Sequence, residues 1–269
     1  MRLSVRSAFA AMALCALAPA AIAQSAKDAL PPQRDFSGVW TSYTPPGETA
    51  RIGRGGPQPD LPLTPEGKRL REEYGKLAIN GDNPGAYCVP YGMPTMMQSA
   101  GGYPIEFIHR PEQLTIIYEV EGETRRVYMP GRGIPPEKRL PVRQGYSEGH
   151  WDGDTLVVET TDMSDGFDQR SYPHSDQARI VERIKITPDA GVGRILDYEA
   201  VMTDPVYYTA PVSFRKRWMP LKDGKLDGHI MAYNCAEEPW LALIEARRAQ
   251  LKAGKPVDAR MSDVINLYK

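Results

Sequence analysis

The chain has 269 residues and carries 33 Lys and Arg against 34 Asp and Glu, so its formal net charge is −1. That balance excludes a nucleic-acid-binding protein built on a basic surface, because phosphate neutralisation needs a clustered excess of Lys and Arg. Hydrophobic residues make up 41% and charged residues 25%, which is ordinary for a globular protein and excludes wholesale disorder.

The first 23 residues have the three parts of a secretory signal peptide. Arg2 and Arg6 precede an apolar run over 8–23, and the small residues Ala21 and Ala23 end that run. The 16 residues of the run include a proline, whereas a membrane-spanning helix needs roughly 20 apolar residues. We therefore predict cleavage after Ala23, a periplasmic or secreted mature protein, and no transmembrane segment in the mature chain.

Cleavage at that position would remove Cys15 and leave Cys88 and Cys235 as the cysteines of the mature chain. An even pair in an oxidising compartment predicts a disulfide bond between them. Two buried free thiols, or one reactive thiol, are the alternatives.

The first part of the mature chain has an irregular pattern. Residues 24–35 are polar and contain proline, which predicts a linker, and the segment 35–43 (DFSGVWTSY) predicts a first strand. The stretch 44–63 is rich in proline and glycine and predicts an irregular surface arm. Thr64 then offers a helix N-cap with a proline after it, and apolar residues follow at helical spacing to about residue 78.

From Tyr103 onward, apolar and polar residues alternate with a period of two, as expected of strands with one buried face. Asp152-Gly153 is the strongest of several short hairpin signals. A C-terminal helix is predicted at about 239–253, where apolar residues return to helical spacing. The predicted strands cover 105–109, 114–120, 125–129, 145–151, 155–160, 178–187, 194–203, 213–219 and 226–234.

About ten antiparallel strands joined by short turns close most simply into an up-and-down barrel, because closure leaves no exposed strand edge. The predicted fold class is therefore mainly β, an antiparallel up-and-down barrel with one N-terminal and one C-terminal flanking helix. A two-sheet β-sandwich is the alternative. We expect residues 36–269 to form a single β-rich domain that includes the irregular arm 44–63.

The opening strand has the sequence Phe36-Ser37-Gly38-Val39-Trp40. It resembles the Gly-x-Trp strand of lipocalins, in which the tryptophan plugs one end of a barrel that holds a ligand. The resemblance implies a lipocalin- or calycin-like barrel with Trp40 at one end. A tryptophan in an ordinary β core is the alternative for so short a motif.

A second set of motifs is spread over most of the mature chain. In order, the motifs are FSGVW at 36–40, the Cys88-x-Pro90-x-Gly92-x-Pro94 segment, RVYM at 126–129, WDGDTLVVET at 151–160, HSD at 174–176 and ER at 182–183. Together they resemble a large family of secreted bacterial β-rich proteins with no established activity. The family pattern has Gly-His-Ser before the tryptophan and Asp-Gly-Arg-x-His around the arginine. This chain has Gly-Tyr-Ser at 145–147 and Pro-Gly-Arg-Gly at 130–133, so two family-typical polar groups are missing there.

His174-Ser175-Asp176 lies at the end of a predicted loop, just before a strand begins. Loops on a rigid scaffold often carry the functional residues. We predict that His174, oriented by Asp176, is a general base for proton transfer. Arg132 would hold negative charge on the substrate, and Tyr146 would donate a hydrogen bond to it. Alternatively, Ser175 or Asp176 forms a turn, and His174 is a surface polar group with satisfied hydrogen bonds.

Aromatic side chains on the inner face of the strands would line a pocket in a hollow barrel, or form the core of a filled one. An arginine inside a barrel needs an anionic ligand or a carboxylate partner, so an internal ion pair is the alternative to a ligand. The predicted ligand-binding residues are Tyr128, His150, Glu182 and Arg215.

The sequence predicts neither a metal nor a cofactor. It has four histidines and no HExxH, CxxC or Cys/His cluster, which argues against a structural zinc site. The acidic run 162–168 offers oxygen ligands for calcium, but its spacing does not match an EF-hand loop.

These observations predict a periplasmic β-barrel that encloses a small apolar or aromatic molecule, as a binder or as a cofactor-free isomerase, lyase or hydrolase. The alternative is a non-catalytic envelope protein, structural or interacting, whose barrel is packed solid and whose arm at 44–63 docks a partner. The first hypothesis requires polar side chains from distant segments to converge on one concave pocket.

Overall fold

The structure of the chain is a computed structural model that describes residues 30–48, 60–77, 89–98, 102–221, 228–233 and 238–258. The α-helices of this described part are α1 (Pro65–Leu77), α2 (Thr95–Gln98) and α3 (Glu238–Lys252), and short 3-10 helices span Val120–Gly122 and Pro136–Lys138. Its strands are β1 (Gly38–Ser42), β2 (Ile105–Arg110), β3 (Gln113–Tyr118), β4 (Thr124–Tyr128), β5 (Tyr146–Asp152), β6 (Thr155–Thr161), β7 (Gly166–Phe167), β8 (Pro173–His174), β9 (Arg179–Asp189), β10 (Gly193–Thr203) and β11 (Val212–Pro220).

Nine of these strands form a closed barrel in the order β1-β11-β10-β9-β6-β5-β4-β3-β2, while β7 and β8 form a separate two-stranded sheet. The predicted mainly β barrel with flanking helices is confirmed. The barrel is mixed, however, because β4 and β5 run parallel and the other neighbours run antiparallel. Strand direction cannot alternate all the way around a closed ring with an odd number of members, so nine strands require such a parallel pair.

The parallel pairing of β4 and β5 requires a long connection between them. Tyr128 at the end of β4 is opposite Glu148 in β5, so the chain must return along the barrel before β5 begins. Residues 129–145, which we call the crossover, make this return. They are tied to the end of β6 by a 3.1 Å hydrogen bond from the Val142 backbone N to the Asp162 carbonyl.

Strand register defines the two ends of the barrel. The β2–β3 turn, the β5–β6 turn and the residues before β1 lie at one end, which we call the groove end. Thr160 near the end of β6 is opposite Ile180 near the start of β9. The loop before β9 and the residues after β10 therefore lie at the other end, which we call the far end.

Large side chains fill the interior of the barrel. Trp40, Trp218, Tyr118 and Tyr198 are each no more than 2% exposed. The rings of Tyr198 and Trp218 meet edge to face with 5.7 Å between their centroids, a favoured aromatic geometry. Their burial shows that side chains fill the interior of the barrel and form its hydrophobic core.

The flanking helices agree with the sequence, and one predicted strand does not. The helices α1 and α3 lie where the sequence predicts flanking helices. The strand predicted at 226–234 is wrong over residues 228–233, which are irregular, and the Met231 backbone N there donates a hydrogen bond to the Glu119 carboxylate instead of a strand partner. The signal peptide, residues 49–59 of the arm and the predicted Cys88–Cys235 disulfide lie outside the described residues.

Candidate functional site

His174 lies at the far end of the barrel, in the two-stranded sheet, where it is opposite Gly166. The residue is 4% exposed, and its Nδ1 has no hydrogen-bond partner among the residues that the structure describes. Burial lowers the pKa of His174, and the negative charges of Asp204 and Asp165 oppose that shift only in part. The imidazole is therefore neutral and closed off from bulk solvent.

Ser175 and Asp176 form a turn next to this imidazole. The Ser175 backbone N and Oγ donate to the Asp204 carboxylate at 2.7 and 2.9 Å, and Oγ accepts from the Gln177 backbone N at 3.1 Å. Asp176 is exposed, and its backbone N donates to Asp165 at 2.8 Å. Within the described part of the chain, no hydrogen bond joins the Asp176 side chain to the imidazole. The turn at Ser175 matches the alternative, but the buried imidazole with its unpartnered Nδ1 is not the satisfied surface group that the alternative expected.

Tyr146 holds the crossover against β5. Its hydroxyl accepts a hydrogen bond from the Ile134 backbone N and lies 3.3 Å from the Glu148 carboxylate. The Arg139 guanidinium lies 3.7 Å above its ring, and the ring of Tyr128 stacks on it with 5.4 Å between centroids. Burial raises the pKa of Tyr146. The side chain is thus protonated and engaged in packing.

Glu182 belongs to a polar cluster inside the barrel. Its partner is Arg125, whose Nη1 donates to Oε1 at 3.0 Å and whose Nη2 also bonds the carboxylate. Arg125 further donates to Ser147 Oγ at 3.0 Å and to Thr160 Oγ1 at 2.7 Å. The side chains of Arg125 and Glu182 are at most 1% exposed. The arrangement is the internal ion pair given above as the alternative to a ligand.

Arg215, His150 and Tyr128 do not join Glu182 in one pocket. Arg215 is exposed and pairs with Glu199, which is opposite it on β10. His150 is exposed on β5, and Tyr128 is half-buried. The predicted ligand-binding residues therefore lie partly inside the barrel and partly on its outer surface.

Arg132 lies in an open groove of about 820 Å³ at the groove end. Residues before β1, the β2–β3 turn, the start of the crossover and the end of β5 form this groove. Since His174 and Asp176 lie at the far end, the predicted catalytic group of His174, Asp176, Arg132 and Tyr146 is not assembled around one substrate. The groove is lined by Leu30, Pro31, Arg34, Arg110, Pro111, Glu112, Met129, Pro130, Arg132 and Trp151.

Hydrogen bonds fix the two turns that form one side of the groove. The Met129 backbone N donates to the Glu112 carbonyl at 3.1 Å, which joins the crossover to the β2–β3 turn. The Arg132 backbone N then donates to the Met129 carbonyl at 3.0 Å and closes a tight turn. Because Arg110 is the last residue of β2, both arginines extend from backbone whose position is set by the barrel.

Trp151 is held in place by three neighbours. Its ring stacks on His109 with 5.8 Å between centroids and contacts Phe36 at 5.6 Å. The Arg34 guanidinium lies over the ring, 5.2 Å from its centroid. Burial lowers the pKa of His109 despite the nearby negative charge of Asp35, so a neutral imidazole supports the tryptophan.

The groove has an excess of positive charge. Arg34 donates from Nε to Asp154 at 3.1 Å and is neutralised by it. Arg110 and Arg132 are exposed and form no ion pair with any residue that the structure describes. Glu112 is the acidic member of the lining. The arrangement suits an apolar molecule or an anion.

Sequence reasoning identified Arg132 of this groove but missed Arg34, Arg110 and Trp151 as its neighbours. A signal for two of them was present in the sequence. Arg110 begins the turn between two predicted strands, and Trp151 comes just before the Asp-Gly hairpin, so both stand at strand ends. Which strand ends meet depends on the order of strands in the barrel, and hairpin signals do not give that order for non-consecutive strands.

The described residues offer no metal site and no membrane-spanning helix, and the chain resembles no known protein closely enough to match it. Among the described residues, no group of three or more His, Cys, Asp and Glu is placed to hold a metal ion. No helix in the same part of the chain is both long enough and apolar enough to span a bilayer. The sequence matches no protein-family model, and searches of curated proteins and of solved structures also give no match.

Proposed function

We propose that this protein is a periplasmic or secreted β-barrel protein that binds a small apolar or aromatic molecule in the groove. The signal-peptide pattern of residues 1–23 supports the location. The observation that carries the binding proposal is the groove itself, which is concave and lined by six apolar residues, three arginines and one glutamate, partly on hydrogen-bonded turns. Its volume of about 820 Å³ is in the range of small-molecule sites, roughly 300–1,000 Å³.

The proposed site is at the end of the barrel because Trp40, Trp218 and other large side chains occupy the interior. The proposed activity is binding without proton transfer, since the described lining contains no histidine.

A thermal-shift screen with aromatic acids, aromatic alcohols and terpenoids tests this proposal. Ligands that bind the folded state alone raise its melting temperature. We expect Leu30→Ser, which removes an apolar side chain from the groove lining, to lower the affinity for the best ligand of the screen about tenfold. Leu140→Ser makes the same chemical change on the crossover, outside the groove, and should leave the affinity unchanged. An unshifted melting temperature with every compound, or equal losses in both variants, contradicts the proposal.

A second candidate function is that of a non-catalytic envelope protein that interacts through its surface. Two observations favour it: the filled barrel, and the exposure of Leu140, Val142 and Ile134 on the crossover, which are 77%, 49% and 37% exposed. For this function, Leu140→Ser should lower the fraction of the protein that sediments with envelope material, and Leu30→Ser should not. The same pair of variants thus separates the two functions.

A further inference from the structure

The groove carries two arginines whose charge no described residue neutralises. Arg110 and Arg132 belong to adjacent turns, and the hydrogen bond between Met129 and Glu112 joins those turns. An anion that lies between these turns would be attracted by both guanidinium groups. A guanidinium also offers a planar fork of N–H donors that matches the two oxygens of a carboxylate.

From this arrangement we infer that the ligand of the groove is an amphipathic carboxylate, with its anionic end held by Arg110 and Arg132 and its apolar body against Leu30 and Pro130. The inference rests on the proposed function, and it adds the chemical class of the ligand. Arg34 is not part of the anion clamp, because Asp154 pairs with it and Trp151 lies beneath it.

The apolar lining favours this class over a compact inorganic anion. Leu30, Pro31, Pro111 and Pro130 would contact a hydrocarbon or aromatic body, and phosphate alone would leave them in contact with water. Glu112 sets a second limit. Its carboxylate belongs to the same lining and disfavours a second negative charge on the ligand, so a monoanion fits better than a dianion.

A matched pair of probes separates charge from shape. Isothermal titration calorimetry compares 2-naphthoate with 2-naphthamide, which has nearly the same size and aromatic body but no charge. We expect the acid to bind the wild-type protein at least about tenfold more tightly than the amide. The affinity for the acid should fall with added salt, because both arginines are exposed.

Arginine variants locate the contact. Arg110→Gln and Arg132→Gln should each lower the affinity for 2-naphthoate about tenfold and leave the affinity for 2-naphthamide unchanged. Arg126→Gln is the matched control: Arg126 is also exposed, lies on β4 close to the crossover, and is not part of the groove lining. It removes the same net charge and should leave both affinities unchanged.

Each outcome has a distinct meaning. If the acid and the amide bind with equal affinity, this inference is wrong while the proposed function stands. The same holds if Arg126→Gln lowers the affinity for the acid as much as Arg110→Gln and Arg132→Gln do. If inorganic phosphate binds and neither naphthalene probe does, this inference is wrong, and the thermal-shift screen decides the proposed function. If none of the three probes binds, this inference is again wrong, and the same screen decides whether the groove takes another apolar molecule.

Discussion

The residues at the centre of the barrel show how a buried charge is tolerated. Arg125 donates hydrogen bonds to Glu182, Ser147 and Thr160, so its guanidinium has partners on three other strands. A buried ion pair adds little net stability compared with apolar residues of the same size, because both ions lose their hydration. Removing one member is different, since the remaining charge then stays buried without compensation.

We therefore expect Glu182→Gln to destabilise the fold by about 3–5 kcal/mol, since it leaves the Arg125 charge unpaired in the core. The measurement is the free energy of unfolding from urea titration monitored by circular dichroism. Glu199→Gln is the matched control, because it breaks the exposed pair with Arg215 and should cost less than about 1 kcal/mol. Similar losses in both variants would show that burial of the internal pair does not govern its energetics.

At the same scale, the sequence predicted ligand binding for Glu182 and gave an internal ion pair as the alternative, and the structure has the ion pair. An arginine or glutamate within a strand of period two either faces solvent or requires a partner, which is the reason for that alternative. The identity of Arg125 as the partner was not predictable, because the two residues are 57 positions apart and on non-adjacent strands. For His174, a motif of three adjacent residues suggested chemistry, whereas in the structure Ser175 forms a turn bonded to Asp204, and His174 is buried with no described partner for its Nδ1.

Among the elements, the crossover separates this barrel from a simple series of hairpins. Alternation of apolar and polar residues predicts each strand and each tight turn locally, and those predictions agree with β2, β3, β5, β6, β9 and β10. A parallel neighbour is a non-local property, and a local pattern does not specify it. The signal that was available is the length of the connection 129–145, which is too long for a hairpin.

Gly145, the last residue of the crossover, packs closely against the end of β6. Its φ is +65°, and a Cβ at this position would lie 2.7 Å from the Thr161 carbonyl oxygen. Gly153 has a similar φ of +57° in the β5–β6 turn, but a Cβ there would meet no atom within 4 Å. Gly145→Ala should lower the free energy of unfolding by roughly 1–3 kcal/mol more than Gly153→Ala does. Equal losses in urea unfolding would mean that only the backbone conformation matters.

At the scale of the whole molecule, the sequence predicts a barrel but not whether the barrel is hollow. Residues that point inward recur every second position in either case, so the pattern is the same for a cavity and for a core. The outcome depends on the summed volume of side chains from distant strands, here dominated by Trp40, Trp218, Tyr118 and Tyr198. For this reason the candidate site moves from the interior to the end of the barrel.

Closure of the barrel depends on its first and short strand, β1, which lies between β2 and β11. Trp40 anchors β1: it is 1% exposed, and its Nε1 donates to the Phe36 carbonyl at 2.9 Å. Trp40→Ala should cost about 3–5 kcal/mol and lower the melting temperature in one cooperative transition, because every barrel strand depends on closure. Val39→Ala, at a half-buried neighbour, should cost about 1 kcal/mol. If Trp40→Ala instead accelerates amide hydrogen exchange in β1, β2 and β11 alone, the barrel does not unfold as a unit and β1 is a separable seal.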